Sequence, residues 1–269
     1  MTTARLAPRT ALFLPASNPR AIEKARGLDA DLVILDLEDA VKAEDKASAR
    51  EAAIAAVAQG FGPRLCAIRI NGIESGEHQD DIDAVAASLC DFAVLPKAES
   101  AEDVAQVAEA LGKPLLAMIE TPLGVLAAAD IAAVPGVAGL IAGTNDLAAT
   151  LKLPPSSGRA AMALSLQMIV LAARASEIWA LDGVFNKLDD PEGLAAEAHA
   201  GRALGFDGKS LIHPGQIAIA AQAFGPSPQE VADAEALIAA ATGGAERYRD
   251  AMIETMHVDQ ARALLERNR

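Results

Sequence analysis

The 269-residue chain has few aromatic residues and only two cysteines. Phe, Trp and Tyr make up 3% of the chain and the hydrophobic set 52%, so a core must be built from Ala, Val, Leu and Ile. Cys66 and Cys90 are isolated and form no CxxC motif, which favours two buried thiols over a disulfide or a metal site.

Positive charge is also scarce. The chain has 23 Lys and Arg residues against 37 Asp and Glu, and its net charge is −14. A protein that binds along a nucleic acid needs a basic face, so we predict no nucleic-acid partner. No apolar stretch reaches the ~18 residues of a membrane helix, and the N-terminal segment lacks a signal-peptide pattern. We therefore expect a cytoplasmic protein that does not contact a membrane.

The chain alternates short apolar runs with helical segments. Several runs, such as LVILDL and LLAMIE, are apolar throughout, which is typical of parallel strands buried on both faces. Capping residues followed by proline mark helix starts at Asn18-Pro19, Asp190-Pro191 and Ser227-Pro228. The eight predicted strands span residues 11–16, 32–37, 65–70, 92–97, 115–121, 139–144, 181–185 and 208–213.

Eight strands that alternate with helices predict a (β/α)8 TIM barrel. The rival is a doubly wound sheet, which often carries a glycine-rich nucleotide fingerprint after its first strand. The chain has no GxGxxG motif there and no Walker A motif. We assign residues 1–242 to the barrel. Residues 243–269 are assigned to a C-terminal extension, with a polar coil followed by a helix over about residues 257–267.

Polar side chains follow the predicted strands at their carboxyl ends, which meet on one face of such a barrel. The set comprises Asp36, Glu38, Asp39, Arg69, Asn71, Lys97, Glu120, Asn145, Asp146, Asp182 and His213. Mg²⁺ needs oxygen ligands and takes only one or two protein carboxylates, which leaves places for substrate oxygens. Arg69 and Lys97 suit an anionic substrate. The pattern predicts a magnesium site that binds such a substrate.

Several of these residues have a structural alternative. Asp39 is also compatible with a helix cap, and Arg69 with a structural partner for nearby acids. Lys97 is compatible with a salt bridge to Glu99, and His213 with an ordinary loop position. These alternatives stay open at the level of the sequence.

Seven strings, in order, resemble the citrate lyase beta-subunit-like branch of the HpcH/HpaI aldolase/citrate lyase family. They are LFLPASNPR, VILDLEDAV, IRIN, VLPKAES, IETPLGV, GTNDLA and ALGFDGKSLIHPGQ. The resemblance runs from about residue 11 to residue 240. It implies a Mg²⁺-dependent (β/α)8 barrel that makes or cleaves the carbon–carbon bond between an acyl thioester and a 2-oxo acid or aldehyde. Malyl-, citramalyl- and citryl-thioesters are the usual substrates of that family.

The resemblance also implies roles for individual residues. Glu120 and Asp146 would bind Mg²⁺, with Mn²⁺ as the alternative ion. Arg69 would contact the oxygen of the 2-oxo acid or the developing enolate. Glu38 would support the water shell of the metal, and Asp36 would hold neighbouring basic groups such as Arg69.

Two further residues resemble family positions outside the barrel mouth. Lys24 resembles a position that meets a coenzyme A phosphate in some relatives, and the alternative is a solvated lysine. Residues 250–254 resemble a tail segment that supplies an acid/base to a neighbouring subunit, with Glu254 in place of the usual Asp. This implies a homo-oligomer, a trimer or a multiple of it. The alternative is a tail that folds back on its own barrel.

Besides Glu254, the chain departs from the family pattern in three places. Pro15-Ala16 stands where the family has PG, and Asn145 stands where it has Glu. The stretch AMALSLQMIV replaces a tyrosine–arginine pattern. The first hypothesis is a lyase for a 3-hydroxy-acyl thioester linked to coenzyme A. The alternatives are a class II-type aldolase for free 2-oxo-hydroxy acids and a non-catalytic metabolite-binding relative.

Overall fold

The computed structural model of the protein describes residues 6–268. Parallel strands β1 to β8 follow one another around a closed barrel, and β8 pairs with β1. The predicted TIM barrel is therefore confirmed. The strands are β1 Thr10–Pro15, β2 Leu32–Asp36, β3 Leu65–Arg69, β4 Phe92–Leu95, β5 Leu115–Ile119, β6 Val137–Ala142, β7 Trp179–Asp182 and β8 Gly208–Leu211.

Helices connect the strands and cover the outside of the barrel. They are α1 Pro19–Ala25, α2 Lys46–Gln59, α3 His78–Ala86, α4 Ala101–Leu111, α5 Pro122–Ala132, α6 Thr144–Thr150, α7 Ala163–Ala175, α8 Pro191–Leu204, α9 Ile217–Phe224, α10 Pro228–Ala240 and α11 Thr255–Glu266. The predicted caps are confirmed, because the side chains of Asn18, Asp190 and Ser227 accept backbone N–H groups at the starts of α1, α8 and α10. Within residues 6–268, no helix is long and apolar enough to cross a membrane.

The core has two layers because successive strand residues point to opposite faces. Leu32 and Ile34 of β2 face the barrel interior. Val33 and Leu35 face the surrounding helices. Continued to the end of β2, the alternation directs Asp36 inward, where it meets Arg69 of the neighbouring β3.

The eight barrel strands end one to three residues before their predicted ends, and two of these differences affect candidate residues. β7 runs from Trp179 to Asp182 instead of over residues 181–185. β4 ends at Leu95, so Lys97 lies two residues beyond it, in a left-handed backbone conformation with φ of 49°. A non-glycine residue rarely adopts this conformation and keeps it only where its surroundings enforce it.

The C-terminal segment is more ordered than the predicted polar coil, and that part of the prediction was wrong. Residues Glu246–Tyr248 and Ala251–Ile253 form the antiparallel strands β9 and β10, which precede α11. The terminal helix itself is confirmed. Ala261 of α11 is buried, and α11 packs against α10 of the same chain.

Candidate active site

A cavity of about 450 Å³ opens at the carboxyl ends of the barrel strands. Much of the predicted strand-end set lines it. The residues of that set at the cavity wall are Asp36, Asp39, Arg69, Glu120, Asn145 and Asp146. The closed barrel thus brings together side chains that are separated by up to 110 positions in the sequence.

Arg69 is held on two sides by carboxylates. Its Nε and Nη2 donate to Oδ1 and Oδ2 of Asp36 at 2.7 and 2.6 Å, and its Nη1 lies 3.0 Å from Oε2 of Glu38. The guanidinium also stacks over the ring of Phe13, 5.1 Å from its centroid. Burial opposes the charge of Arg69, but the hydrogen bonds and charge of Asp36 raise its pKa above the usual value. Arg69 therefore stays charged in a fixed orientation.

Asp36 is itself fixed by the backbone that follows β2. Its Oδ1 accepts the N–H of Glu38 at 2.9 Å, and its Oδ2 accepts the N–H of Ala40 at 3.1 Å. The loop therefore orients Asp36, which in turn orients Arg69. Arg69 is one of the basic groups that the resemblance implies for Asp36, and the two side chains are in contact.

Glu120 follows β5 and is 2% exposed. Its Oε1 accepts the backbone N–H of Lys97 at 2.8 Å. Burial, together with the charges of Glu38 and Asp146, raises the pKa of Glu120 to about 8, against the lowering effect of that N–H. The positive charge of Arg69 also lowers this pKa but does not offset the burial, so a proton or a cation would stabilise the carboxylate further.

Asp146 lies in the first turn of α6, directly after β6, so two carboxylates follow adjacent strands. Among residues 6–268, no three or more His, Cys, Asp or Glu side chains are grouped so as to hold an ion by themselves. Two carboxylates with open positions nevertheless fit Mg²⁺, which keeps water or substrate oxygens as its other ligands. The donor set fits the predicted ion.

Glu38 lies beside Arg69 and is largely buried. Burial raises its pKa to about 7, although the positive charge of Arg69 lowers it. Its carboxyl therefore changes protonation near neutral pH. This property suits a group that takes up or releases a proton during a reaction.

Five residues of the predicted strand-end set do not line the cavity: Glu38, Asn71, Lys97, Asp182 and His213. Asp182 is fully buried, but it faces the outer helices, where it pairs with Lys209 at 3.2 Å and Arg159 at 2.6 Å. Placing it with the site was wrong, because β7 presents its neighbour Leu181 to the barrel interior. His213 is exposed and accepts the N–H of Gly215 at 3.1 Å, as expected of a loop histidine.

The remaining predicted contacts lie outside the cavity wall of this chain. The side chains of Lys97 and Lys24 are exposed, and Lys97 reaches the site through its backbone N–H. Glu254 is exposed at the start of α11. A contact of these side chains with a long substrate or with another subunit stays a prediction.

Sequence reasoning missed two polar residues near the site. Ser210 lines the cavity and is 1% exposed, and its Oγ has no hydrogen-bond partner in the described part of the chain. The alternation of side chains along β8 could have predicted that Ser210 faces the barrel interior. Lys46 contacts the loop that carries Glu38, and its role is not marked by a sequence motif.

Residues 9–214 match the sequence profile of the HpcH/HpaI aldolase/citrate lyase family. Over 266 residues the chain is 42% identical to a (3S)-malyl-CoA thioesterase of Cereibacter sphaeroides, covering 96% of this chain and 93% of that protein. Over 273 residues it is 36% identical to a citrate lyase subunit beta-like protein of Deinococcus radiodurans, covering 96% of both.

A solved structure is similar along almost the full length. The CitE protein of Mycobacterium tuberculosis, in complex with magnesium, acetoacetate and coenzyme A, has a TM-score of 0.84. It is 34% identical, over 97% of this chain and 98% of that one. A citrate lyase beta subunit from the same organism, complexed with oxaloacetate and magnesium, has a TM-score of 0.74 at 36% identity, over 82% of this chain and 98% of that one.

Proposed function

The chain belongs to the HpcH/HpaI aldolase/citrate lyase family, and we propose that it is a Mg²⁺-dependent carbon–carbon lyase. Its substrate is a 3-hydroxy-acyl thioester of the malyl-, citramalyl- or citryl-CoA type, which it cleaves or forms. One observation carries this proposal: Glu120 and Asp146 line the same cavity as an arginine fixed by Asp36.

Glu120 and Asp146 are the residues that would hold Mg²⁺. When bound, Mg²⁺ would supply Lewis-acid chemistry and help to orient an anionic substrate. The solved CitE complexes that contain magnesium with acetoacetate or oxaloacetate support this choice of ion. The buried Glu120 carboxylate, with its raised pKa, would gain positive charge beyond what Arg69 supplies.

Arg69 stabilises the charge that develops in the reaction. In the cleavage direction the substrate hydroxyl loses its proton to a base. The bond between the carbon that bears this hydroxyl and the carbon next to the thioester then breaks. The electron pair moves into the thioester as an enolate, which then takes a proton at carbon, so a 2-oxo acid or aldehyde and an acyl thioester leave. A donor already oriented by Asp36 and Glu38 stabilises the negative oxygen without reorganisation.

Glu38 is suited to proton handling beside Arg69, because its pKa of about 7 lets it hold or release a proton near neutral pH. A volume of about 450 Å³ accommodates the acyl part, while the coenzyme extends outward. Lys24 and Lys97 are exposed cations that would meet its anionic groups outside the cavity.

We further propose that the enzyme works in the cytoplasm as a homo-oligomer, a trimer or a multiple of it. Glu254 does not line the cavity of its own chain, so an acid/base role for it requires a second copy. Met252 and Met256 beside it are 64% and 55% exposed, which leaves apolar surface for such a contact. The two free, buried cysteines are compatible with a reducing compartment.

A cleavage screen tests the function. Malyl-, citramalyl-, citryl- and hydroxymethylglutaryl-CoA are incubated with the protein and Mg²⁺, and the released oxo acid is measured, a 2-oxo acid from the first three and acetoacetate from the last. We expect one of them to be cleaved and EDTA to stop the reaction. The Glu120→Gln variant is the matched control, because it keeps the shape of the side chain. Absence of any oxo-acid product with a folded, Mg²⁺-loaded protein would refute the lyase.

Hydrolysis of the thioester is a second candidate, favoured by the 42% identity to a (3S)-malyl-CoA thioesterase. The same assay separates the two reactions. A lyase converts malyl-CoA into glyoxylate and acetyl-CoA, whereas a thioesterase releases malate and a free thiol. Cleavage of free 2-oxo-hydroxy acids, without coenzyme A, would instead identify the aldolase alternative.

A further inference from the structure

Lys46, at the start of α2, ties down the loop that follows β2. We propose that it is a positioning residue for the candidate active site, holding the backbone of Glu38 so that its side chain meets Arg69. This inference rests on the proposed function for its catalytic consequence, but its geometric part can be tested separately.

The ammonium of Lys46 donates hydrogen bonds to three acceptors. Nζ donates to the carbonyl oxygens of Leu37 and Glu38 at 2.8 and 2.7 Å. It also donates to Oδ1 of Asn71, which follows β3, at 2.7 Å. A lysine ammonium has three protons, so its hydrogen-bonding capacity is fully used here. The ends of two neighbouring strands are therefore tied to one side chain.

A buried network orients Asn71 towards Lys46. The backbone N–H and the side-chain amide of Asn71 both donate to Oδ2 of Asp81, at 2.8 and 2.6 Å. Asp81 belongs to α3 and is fully buried, and Nε of Arg50 donates to its Oδ1 at 2.6 Å. Lys46 and Arg50 are four residues apart on α2 and share a face of the helix. The network thus connects α2 and α3 to the mouth of the barrel.

The segment held by Lys46 carries both carboxylates that contact Arg69. Asp36 binds Arg69 from one end of the segment, and Glu38 approaches it from the other at 3.0 Å. Without the ammonium, the carbonyls of Leu37 and Glu38 lose a charged donor. The segment then relaxes and carries Glu38 away from Arg69, although Lys46 itself does not line the cavity.

The test compares Lys46→Met with Lys42→Met. Lys42 is an exposed lysine in the same loop, so the control removes an equal charge. It leaves intact the clamp, by which we mean the three hydrogen bonds from Lys46 to Leu37, Glu38 and Asn71. We expect kcat per folded molecule of Lys46→Met to fall about 10- to 100-fold. This is the range for residues that support a metal site without binding the metal themselves. The KM for the thioester should change little, because the coenzyme binds outside the cavity. A kcat equal to that of Lys42→Met would overturn the inference.

A rescue experiment separates positioning from folding. In Lys46→Cys, aminoethylation of the new thiol rebuilds a lysine-like ammonium, whereas S-methylation does not, and the two native cysteines are buried. We expect the aminoethylated protein alone to regain kcat. Equal kcat after both treatments would contradict the proposal. If Lys46→Met does not fold, Lys46→Gln, which retains a shorter donor, replaces it in the same comparison.

Hydrogen exchange tests the clamp without any activity. The amides of Glu38 and Ala40 donate to Asp36 within the held segment, and both should exchange faster in Lys46→Met than in Lys42→Met. Unchanged exchange there would overturn the inference even in an active enzyme. If the parent protein cleaves no thioester, the proposed function fails, while this measurement still decides whether the clamp exists.

Discussion

The Gly143→Ala substitution should damage the metal site through a single methyl group. Gly143 lies between β6 and α6, with φ −94° and ψ 79°, so its φ angle does not require glycine. A Cβ at this position would overlap with both Cβ and Oε2 of Glu120 and would lie 3.2 Å from its Cδ. Carbon atoms normally approach to ~3.5–4.0 Å, so the Glu120 carboxylate must move.

The size of the effect follows from that overlap. Glu120 cannot retreat easily, because its Oε1 is held by the N–H of Lys97 and its side chain is almost fully buried. Forcing a methyl group into a packed region costs about 1–3 kcal/mol of folding free energy. A carboxylate turned out of its position should weaken Mg²⁺ binding by about 10- to 100-fold, as when the supports of metal ligands are removed.

Isothermal titration of Mg²⁺ into the parent and the variant measures this change, and thermal unfolding measures the stability. Gly158→Ala is the control, because a Cβ there meets nothing within 4 Å and its φ is −74°. We expect the control to match the parent in both measurements. A folded Gly143→Ala protein with the Mg²⁺ affinity of the parent would refute the assignment of Glu120 as a metal ligand.

Four further predictions follow from the same site. The double variant Glu120→Gln, Asp146→Asn should keep the fold and lose most of its Mg²⁺ affinity, and tight binding in a titration would remove both residues from the metal site. Arg69→Lys should lower turnover by about 10²–10³-fold with little loss of stability, because lysine keeps the charge but cannot bind Asp36 through two parallel donors. Unchanged turnover would remove Arg69 from the mechanism. Since burial raises the pKa of Glu120 to about 8, Mg²⁺ must displace a proton below that pH. Its affinity should therefore rise between pH 6 and 8 and level off above, and a flat profile in titrations would contradict the raised pKa. Mixing inactive Arg69→Ala and Glu254→Ala chains should restore activity in mixed oligomers, and no recovery despite proven subunit exchange would exclude a shared site.

The architecture could be predicted from the sequence because its signals are local. Continuous apolar runs such as LVILDL identify parallel strands buried on both faces, and capping residues before proline identify the helix starts. Once eight strands alternate with helices, closure into a barrel brings their carboxyl ends together. The gathering of Asp36, Arg69, Glu120 and Asp146 around one cavity follows from that topology.

The direction of a single side chain needed the tertiary structure. Asp182 ends a strand, as Asp36 does, yet it faces the outer helices, where Lys209 and Arg159 neutralise it. Side chains alternate between the two faces of a strand, so an error of one residue in the assumed alternation places a side chain on the wrong face of the sheet. The apolar stretch around β7 does not indicate which residues point inward, because residues on both faces of the strand are buried.

The support of the site was also decided only by the folded chain. Lys46 meets the carbonyls of Leu37 and Glu38 across a loop, and Glu120 meets the N–H of Lys97 at a strained backbone position. These hydrogen bonds involve backbone atoms, whose positions carry no residue-specific signal. The sequence by itself determined which strand ends carry the reactive groups, through patterns a few residues long. Which groups face the cavity, and what holds them there, depended on contacts between distant segments that exist only when the barrel is closed.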